Sequence, residues 1–436
     1  MKVLVVGGGA REHAIVDALL CGGAEVYCFM PMVNPGIKKA AKGYAIGKLD
    51  DNASVVELAT KNDIKLAVIG PEAPLEAGMA DELEKAGIGC VGPTRELAQL
   101  ETSKGFTRNL LRKYNIDASP KFRIFDKNNI GGAEAFLNEL GRYVVKPDGL
   151  TGGKGVKVLG EHLQTKGEAL AYCSKVLETH KSVIVEEKLE GEEFSLQTLT
   201  DGNSFLHFPP VQDHKRAFEN DTGANTGGMG SYSDANLLLP FLTEGDVEAA
   251  KKTTEQVSAA IKQELGSYKG VIYGGFIKTS SGIKLIEYNA RFGDPEAMNV
   301  LPLLKTNFVE ICKAVVEGKL SGVSAEFDNK ATVCKYVVPQ GYPENPKAGK
   351  ITVPTDTKAL IYYASVDEKD GGIWTTNSRG VAFVGMGDTI GEAEQIAEDA
   401  ASKVTGAVYH RRDIGTKELV QKRVEHIRQI TGGNDA

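Results

Sequence analysis

Alternating strand-like and helix-like segments over the first hundred or so residues restrict the fold of this 436-residue chain more than any other feature. Lys2 to Val6 is a short apolar run, followed by Gly7-Gly8-Gly9 and a helical pattern from Ala10 to Leu20. A strand from Glu25 to Met30 leads to a loop at Asn34-Pro35-Gly36, and Ala53 to Lys61 reads as helix. Ile64 to Ile69 is a strand ending in Gly70-Pro71-Glu72; a helix (Pro74 to Ala86), a strand (Ile88 to Val91) and a helix (Arg95 to Leu100) follow. This order dictates an open parallel sheet. The loops after its strands, 7–13, 30–36 and 70–75, then line one crevice.

The first of these loops is an anion site in outline, because the N–H groups of a starting helix point into a glycine turn. The dinucleotide pattern fails, however: Glu12 stands where a third glycine belongs. Arg11, Glu12 and His13 at the mouth suit a small phosphorylated ligand, and Glu72 suits an amine or hydroxyl. The alternative is a doubly wound domain with a plain glycine turn.

Lys104 opens a helix to about Tyr114, and strands at Phe122–Phe125 and Tyr143–Lys146 flank a helix near 132–140. Residues 146–156, KPDGLTGGKGV, are not a phosphate loop of the Walker type, since Asp148 and Gly155 stand where Gly and Ser or Thr are required. They read as two strands joined by a glycine-rich flap carrying Lys154, with Lys146 at the strand end. A lid over a triphosphate fits that composition; an ordinary hairpin with solvated lysines is the alternative. Val183 to Val185 is a strand running into EEKLEGEE at 186–193. That connector presents backbone to a base and Glu193 to ribose hydroxyls, or is a solvated acidic loop.

Residues 212–230 lack a packing period and read as a long functional loop, in which Asp213, Lys215 and Arg216 suit a zwitterion. Val247 to Leu265 is an amphipathic helix, then a hairpin (Val271 to Lys278, Ile283 to Glu287) enters EYNARFGDPE at 287–296. Glu287 and Asn289, two apart on a strand, share a face, and a carboxylate beside an amide oxygen suits Mg²⁺. Arg291 stays in phase with them, so this strand end reads as a phosphoryl-transfer site or as a strand closing in a solvated turn. Leu303 to Val316 is helical; from about 325, strands (Lys330 to Pro339, Ala359 to Val366, Val381 to Gly385) and a helix (Glu392 to Thr405) suggest a small α+β domain. The basic knot at 409–415 reaches a substrate phosphate or forms a surface salt-bridge cluster.

A net charge of −7 with interspersed signs argues against nucleic acid. No apolar run reaches 18 residues, so no membrane span is expected, and the strand beginning at Lys2 leaves no sign of a secretory leader. Six cysteines without metal spacing read as buried, reduced thiols of a cytoplasmic protein.

The order of GGGAREHA (7–14), GPEAPL (70–75), LETSK (100–104), KPDGLTGGKGV, EEKLEGEE, QDHKR (212–216), DTGANTGGMG (221–230), EYNARFGDPE and RRDIG (411–415) resembles the phosphoribosylamine–glycine ligase family of ATP-grasp enzymes in purine biosynthesis, over nearly the whole chain. The resemblance implies three parts: an amino-terminal doubly wound substrate domain (1–101), an ATP-grasp domain (102–324, flap subdomain about 118–188) and a carboxy-terminal α+β domain (325–436). It implies ATP with Mg²⁺ or Mn²⁺, and glycine and 5-phosphoribosylamine as substrates. Lys104, Lys146 and the flap's Lys154 would hold phosphates; Glu186 to Leu189 would hold adenine and Glu193 the ribose; Glu287 and Asn289 would bind metal. Arg291 would stabilise the transferring charge, with Asp213 and Lys215 beside glycine. Gly9, Arg11, Glu12 and Glu72, together with Asn225 and Asp294, would contact the substrates. The chain departs from the family in having no Asp or Glu between Val271 and Ile286, and in having Ala224 where a proline is common. A monofunctional enzyme, a monomer or weak homodimer, is expected.

Overall fold

The computed structural model describes residues 1–152 and 155–433. The first hundred residues form a five-stranded parallel sheet. Its order is Gly43–Ile46, Glu25–Met30, Lys2–Val6, Leu66–Ile69, Gly89–Val91. The strand order reverses between Lys2–Val6 and Leu66–Ile69, so the loops after these two strands flank the switch point. Leu66–Ile69 is buried throughout, as a strand covered on both faces must be.

Local chemistry accounts for the differences from the sequence reading. The Asn34 side chain accepts from Gly36 N (3.0 Å) and Ile37 N (3.2 Å), so the expected loop starts a helix, Pro35–Ala40. The helix expected over 74–86 is two, Glu72–Glu76 and Met79–Lys85, broken by Gly78 at φ +80°. The helix expected over 95–100 is instead the single turn Gln99–Thr102.

Two antiparallel sheets follow. The smaller runs Phe122–Phe125, Val183–Glu187, Tyr143–Pro147, Lys157–Val158 under the helices Ala133–Leu140 and Lys166–Thr179. It has its own core around Phe125, Phe136, Val145, Cys173 and Val185. The larger runs Phe205–His207, Glu192–Thr200, Gly270–Thr279, Gly282–Asn289 and joins the core that continues into the amino-terminal sheet. A body with a separate core is free to shift as a unit relative to its neighbour.

A third sheet straddles residue 325. It orders Gln212–Asp213, Gly230–Ser233, Ala331–Pro339, Val381–Gly387, Leu360–Tyr363, with the helix Ile390–Ala401 packed on it. The stretch read as one long loop thus begins and ends in strands, and a hairpin (Arg216–Phe218, Thr222–Asn225) lies between. A last helix, Lys417–Thr431, capped by Thr416, packs on the large central sheet and was not foreseen. Cys21 is exposed, contrary to expectation; the other five cysteines are buried, and all six are free. Among the described residues no helix is long and apolar enough to cross a membrane.

Candidate active site

The strand Gly282–Asn289 carries the centre of the site. It pairs Gly275↔Glu287 and Tyr273↔Asn289, then slips register at Ile286. The bulge lies on the near side of Glu287, so Glu287 and Asn289 keep one face, as their spacing requires. Glu287 lines a cleft with Glu193, Asp213, Lys215, Tyr273 and Ile286. Burial pushes its carboxyl up, but Lys104, Lys215, Lys146 and Arg291 outweigh burial and hold it below the usual carboxylate range. Among the described residues neither Glu287 nor Asn289 has a side-chain hydrogen-bond partner, which leaves an ionised carboxylate and an amide free to ligate. Among those residues no three His, Cys, Asp or Glu side chains gather into a metal cluster. The donor set therefore fits a hard divalent cation that completes its shell with phosphate oxygens and water.

The cations come from separate elements. Lys104 starts the helix Lys104–Lys113 and donates to Gly149 O at 3.3 Å. Asp148 ties that helix to the flap base: it accepts from Ser103 Oγ (3.0 Å), Gly105 N (3.1 Å) and Ser182 Oγ (2.9 Å). Lys146 is buried beside Glu186 at 2.7 Å. Lys154 lies outside the described residues.

The Glu186 side chain is already engaged. Arg108 grips its carboxylate through Nε (2.6 Å) and Nη2 (3.1 Å), leaving the side chain buried and committed. Burial pushes the carboxyl up, but Arg108 and Lys146 prevail and hold it at about 2. Its side chain is thus committed, so the contact with a base expected of this connector would fall to its backbone and to half-buried Leu189. Arg108 also donates to Leu285 O (3.0 Å) and Ile286 O (2.7 Å), so one guanidinium joins the small sheet to the bulge beside Glu287.

Across the cleft, Lys215 pairs with exposed Glu193 at 3.2 Å, and Glu193, against burial and with help from Glu287 and Asp213, holds the ammonium well above its usual range. Burial and then Glu296 push Asp213 well above the usual carboxylate range, with Lys215 and Arg379 pulling it back. Its Oδ1 is buried with no hydrogen-bond partner among the described residues. Asn225 sits opposite Arg216 in the hairpin and is absent from the cleft wall. Asp294, expected as a substrate ligand, has both oxygens occupied, by Tyr336 OH (2.6 Å) and Arg379 (3.1 Å).

Arg291 turns towards the amino-terminal domain. It lies 3.4 Å from Glu72 and 3.2 Å from Glu101, whose other oxygen accepts from Ala290 N at 2.7 Å. Despite burial, Glu101 and Glu72 hold the guanidinium above its usual range. The glycine turn is filled from within: Glu12 accepts from Gly9 N (2.6 Å) and pairs with Arg11 (2.6 Å). A side chain at Gly70 would run into this carboxylate. The place expected for a ligand phosphate at Gly9 is therefore held by Glu12, and Arg11 and Glu12 are committed to each other. His13, at the same mouth, is buried, accepts from Tyr363 N (3.1 Å) and is pushed down by burial to about 4.

Arg108, Glu101 and Arg379 escaped the sequence reading. Their partners are remote in the chain; Glu101 falls within LETSK but had no role assigned to it, and Arg108 and Arg379 fall in none of the motifs named above. In the RRDIG knot Arg411 is wholly buried between Asp221 (3.0 Å) and Asp413 (2.7 Å), whereas Arg412 is exposed.

Two antiparallel sheets that meet at Lys146 and Glu287, beside a doubly wound domain, define an ATP-grasp protein. Family comparison gives the particular group. The phosphoribosylglycinamide synthetase N domain matches residues 1–101, its ATP-grasp (A) domain 102–297 and its C domain 332–417. The chain belongs to this family. Relatives named phosphoribosylamine–glycine ligase include proteins of Methanobrevibacter smithii, 51% identical, and Methanocaldococcus jannaschii, 50% identical, each covering 99% of this chain and 100% of the relative. The crystal structure of phosphoribosylamine–glycine ligase from Thermotoga maritima superposes with a TM-score of 0.80 at 28% identity, covering 95% of this chain and 100% of that one. A biotin carboxylase from Campylobacter jejuni shares the fold alone, at 14% identity and a TM-score of 0.73 over 98% of both chains.

Proposed function

We propose that this protein joins glycine to 5-phosphoribosylamine at the expense of ATP, giving glycinamide ribonucleotide, ADP and phosphate in purine biosynthesis. The observation that carries the reading is one ionised carboxylate, Glu287, with no hydrogen-bond partner among the described residues and surrounded by Lys104, Lys146, Lys215 and Arg291, in a chain whose family relatives cover 99% of it. The glycine carboxylate attacks the γ-phosphate; the sugar amine then attacks the resulting glycyl phosphate and releases phosphate.

Lys104 and Lys146 neutralise the phosphates as charge moves to ADP. Glu287 and Asn289 hold a divalent cation, Mg²⁺ or Mn²⁺, which supplies charge neutralisation at the transferring phosphoryl group. Asp213 accepts the glycine ammonium, and Lys215 lies near its carboxylate. Arg291, fixed by Glu72 and Glu101, stands between this cleft and the crevice proposed for phosphoribosylamine. The small sheet, which has its own core, closes over the nucleotide and excludes water from the acyl phosphate.

The test is ADP release measured with purified protein, ATP and Mg²⁺, omitting glycine or phosphoribosylamine in turn. Release that needs glycine, with glycinamide ribonucleotide formed only when both are present, is the expected result. ADP release driven by bicarbonate without glycine overturns the reading.

A further inference from the structure

Two turns pack together beside Asp213, which lines the cleft. One is Gly227–Gly228, the other Asp294–Pro295. Gly228, at φ +108°, packs so closely that a Cβ there would stand 2.6 Å from both Asp213 Oδ1 and Pro295 Cδ. The strand holding Asp213 depends on the same turn, for Met229 N donates to His214 O at 2.8 Å and His214 N to Gly230 O at 2.9 Å. Arg379, remote in sequence from both turns, meets each. Its Nη1 donates to Gly227 O (2.6 Å), Gly228 O (3.1 Å) and Asp294 O (3.1 Å), and its Nη2 pairs with Asp294 Oδ2 (3.1 Å). The guanidinium lies 4.5 Å over the Tyr336 ring, and Tyr336 OH donates to the other Asp294 oxygen at 2.6 Å.

We propose that Arg379 is a positioning residue for the amino-acid subsite: by clamping the two turns together it fixes the surface from which Asp213 meets the ammonium group of glycine. The inference rests on the function proposed above. Arg379 points all of these N–H groups at protein acceptors, so it acts through Asp213 and touches no substrate. A planar fork is needed, since a lysine ammonium cannot reach three carbonyls and a carboxylate while stacking on a ring. Misplacing a positioned group by about 1 Å costs on the order of a hundredfold, and that loss falls on the substrate whose contacts move.

The experiment compares wild type, R379K and Y336F in the ADP-release assay, with separate KM values for glycine, ATP and phosphoribosylamine, and a melting curve for each protein. R379K is expected to raise the glycine KM on the order of ten- to a hundredfold, while the other two KM values and the melting temperature stay near wild type. Y336F keeps the ring and loses one bond to Asp294, so it is expected to raise the glycine KM less, again selectively. Should R379K fail to fold, Y336F decides alone: a selective rise supports the clamp, and an unchanged glycine KM overturns it. Equal changes in all three KM values overturn it as well. Wild-type protein lacking glycine-dependent ADP release would sink the proposed function itself, a result distinct from an unaltered R379K.

Discussion

Arg11 and Arg291 donate to a single carbonyl oxygen, that of Phe292, over 3.2 and 3.1 Å. One arginine belongs to the helix after the glycine turn, the other to the end of the Glu287 strand. Each also carries carboxylates: Glu12 pairs with Arg11, and Glu72 and Glu101 with Arg291. Burying two guanidinium groups against one acceptor requires this compensation. The amino-terminal crevice and the cleft at Glu287 therefore share a wall, as the proposed transfer of an acyl group from one to the other requires.

Glu72 is the accessible end of that wall. Replacing it by Gln keeps its shape and removes its charge from Arg291. The requirement for phosphoribosylamine should rise on the order of ten- to a hundredfold, as expected for a charged hydrogen bond worth roughly 1.5–3 kcal/mol. ATP binding measured by calorimetry should stay unchanged, because the phosphates are proposed to meet Lys104 and Lys146 instead. Equal weakening of both ligands would show that Glu72 belongs to the nucleotide cleft.

The parts legible in the sequence were those set by local rules. The strand–helix alternation specified the parallel sheet, but neither its strand order nor its edge strand Gly43–Ile46. The i, i+2 spacing put Glu287 and Asn289 on one face, and it held because the bulge at Ile286 precedes both. What stayed hidden was set by distance. Arg108 finds Glu186 across 78 positions, and Glu101 finds Ala290 N across 189. Neither pairing leaves a periodic trace. Glu12 was read as a ligand because a carboxylate at a helix start looks available; only the close packing at Gly7 and Gly70 shows it turned inward. The strand pairs at 212–213 and 230–233 were too short to carry an alternating pattern.

Glu287 offers a direct test of the metal pair. Glu287→Gln removes the only carboxylate of the donor set while preserving its volume. Turnover should fall on the order of a hundredfold or more at saturating ATP, and the Mg²⁺ concentration needed for half-maximal rate should rise. Binding of ATP in the presence of chelator should be little altered. A variant with wild-type turnover at limiting Mg²⁺ would place the metal elsewhere.

Arg108 holds together bodies with separate cores, so its removal should be costly in a particular way. R108M leaves Glu186 buried with Lys146 as its one paired cation among the described residues, and breaking a buried pair of this kind costs about 3–5 kcal/mol. The double variant R108M/E186Q removes the stranded charge as well. It should be more stable than R108M in urea denaturation, although it carries one more substitution. If the double variant is the less stable of the two, the Arg108–Glu186 pair is not what ties the small sheet to the Glu287 strand.

His214 makes the last prediction. Its ring is buried, and neither nitrogen has a hydrogen-bond partner among the described residues. Burial first, then the nearby Arg423 and Arg411, push its pKa from an ordinary 6.5 to about 3. The folded protein keeps the ring neutral where the unfolded chain protonates it. From about pH 6.5 downward the unfolded state therefore binds the extra proton, and the folded state loses up to about 1.4 kcal/mol per pH unit from this group. Asp17 works in the opposite direction, because burial raises its carboxyl to about 6. The net curve thus mixes signs, and the difference between two proteins isolates the histidine. H214F keeps an aromatic ring against Tyr232 and cannot titrate. The stability of H214F minus that of wild type, from urea midpoints at pH 7, 6 and 5, should grow steadily as pH falls below 6.5. A difference independent of pH would mean that His214 titrates in the folded protein as it does in the unfolded chain, and a difference that shrinks as pH falls would mean that the folded ring already holds its proton, paired with Asp221 or Asp413.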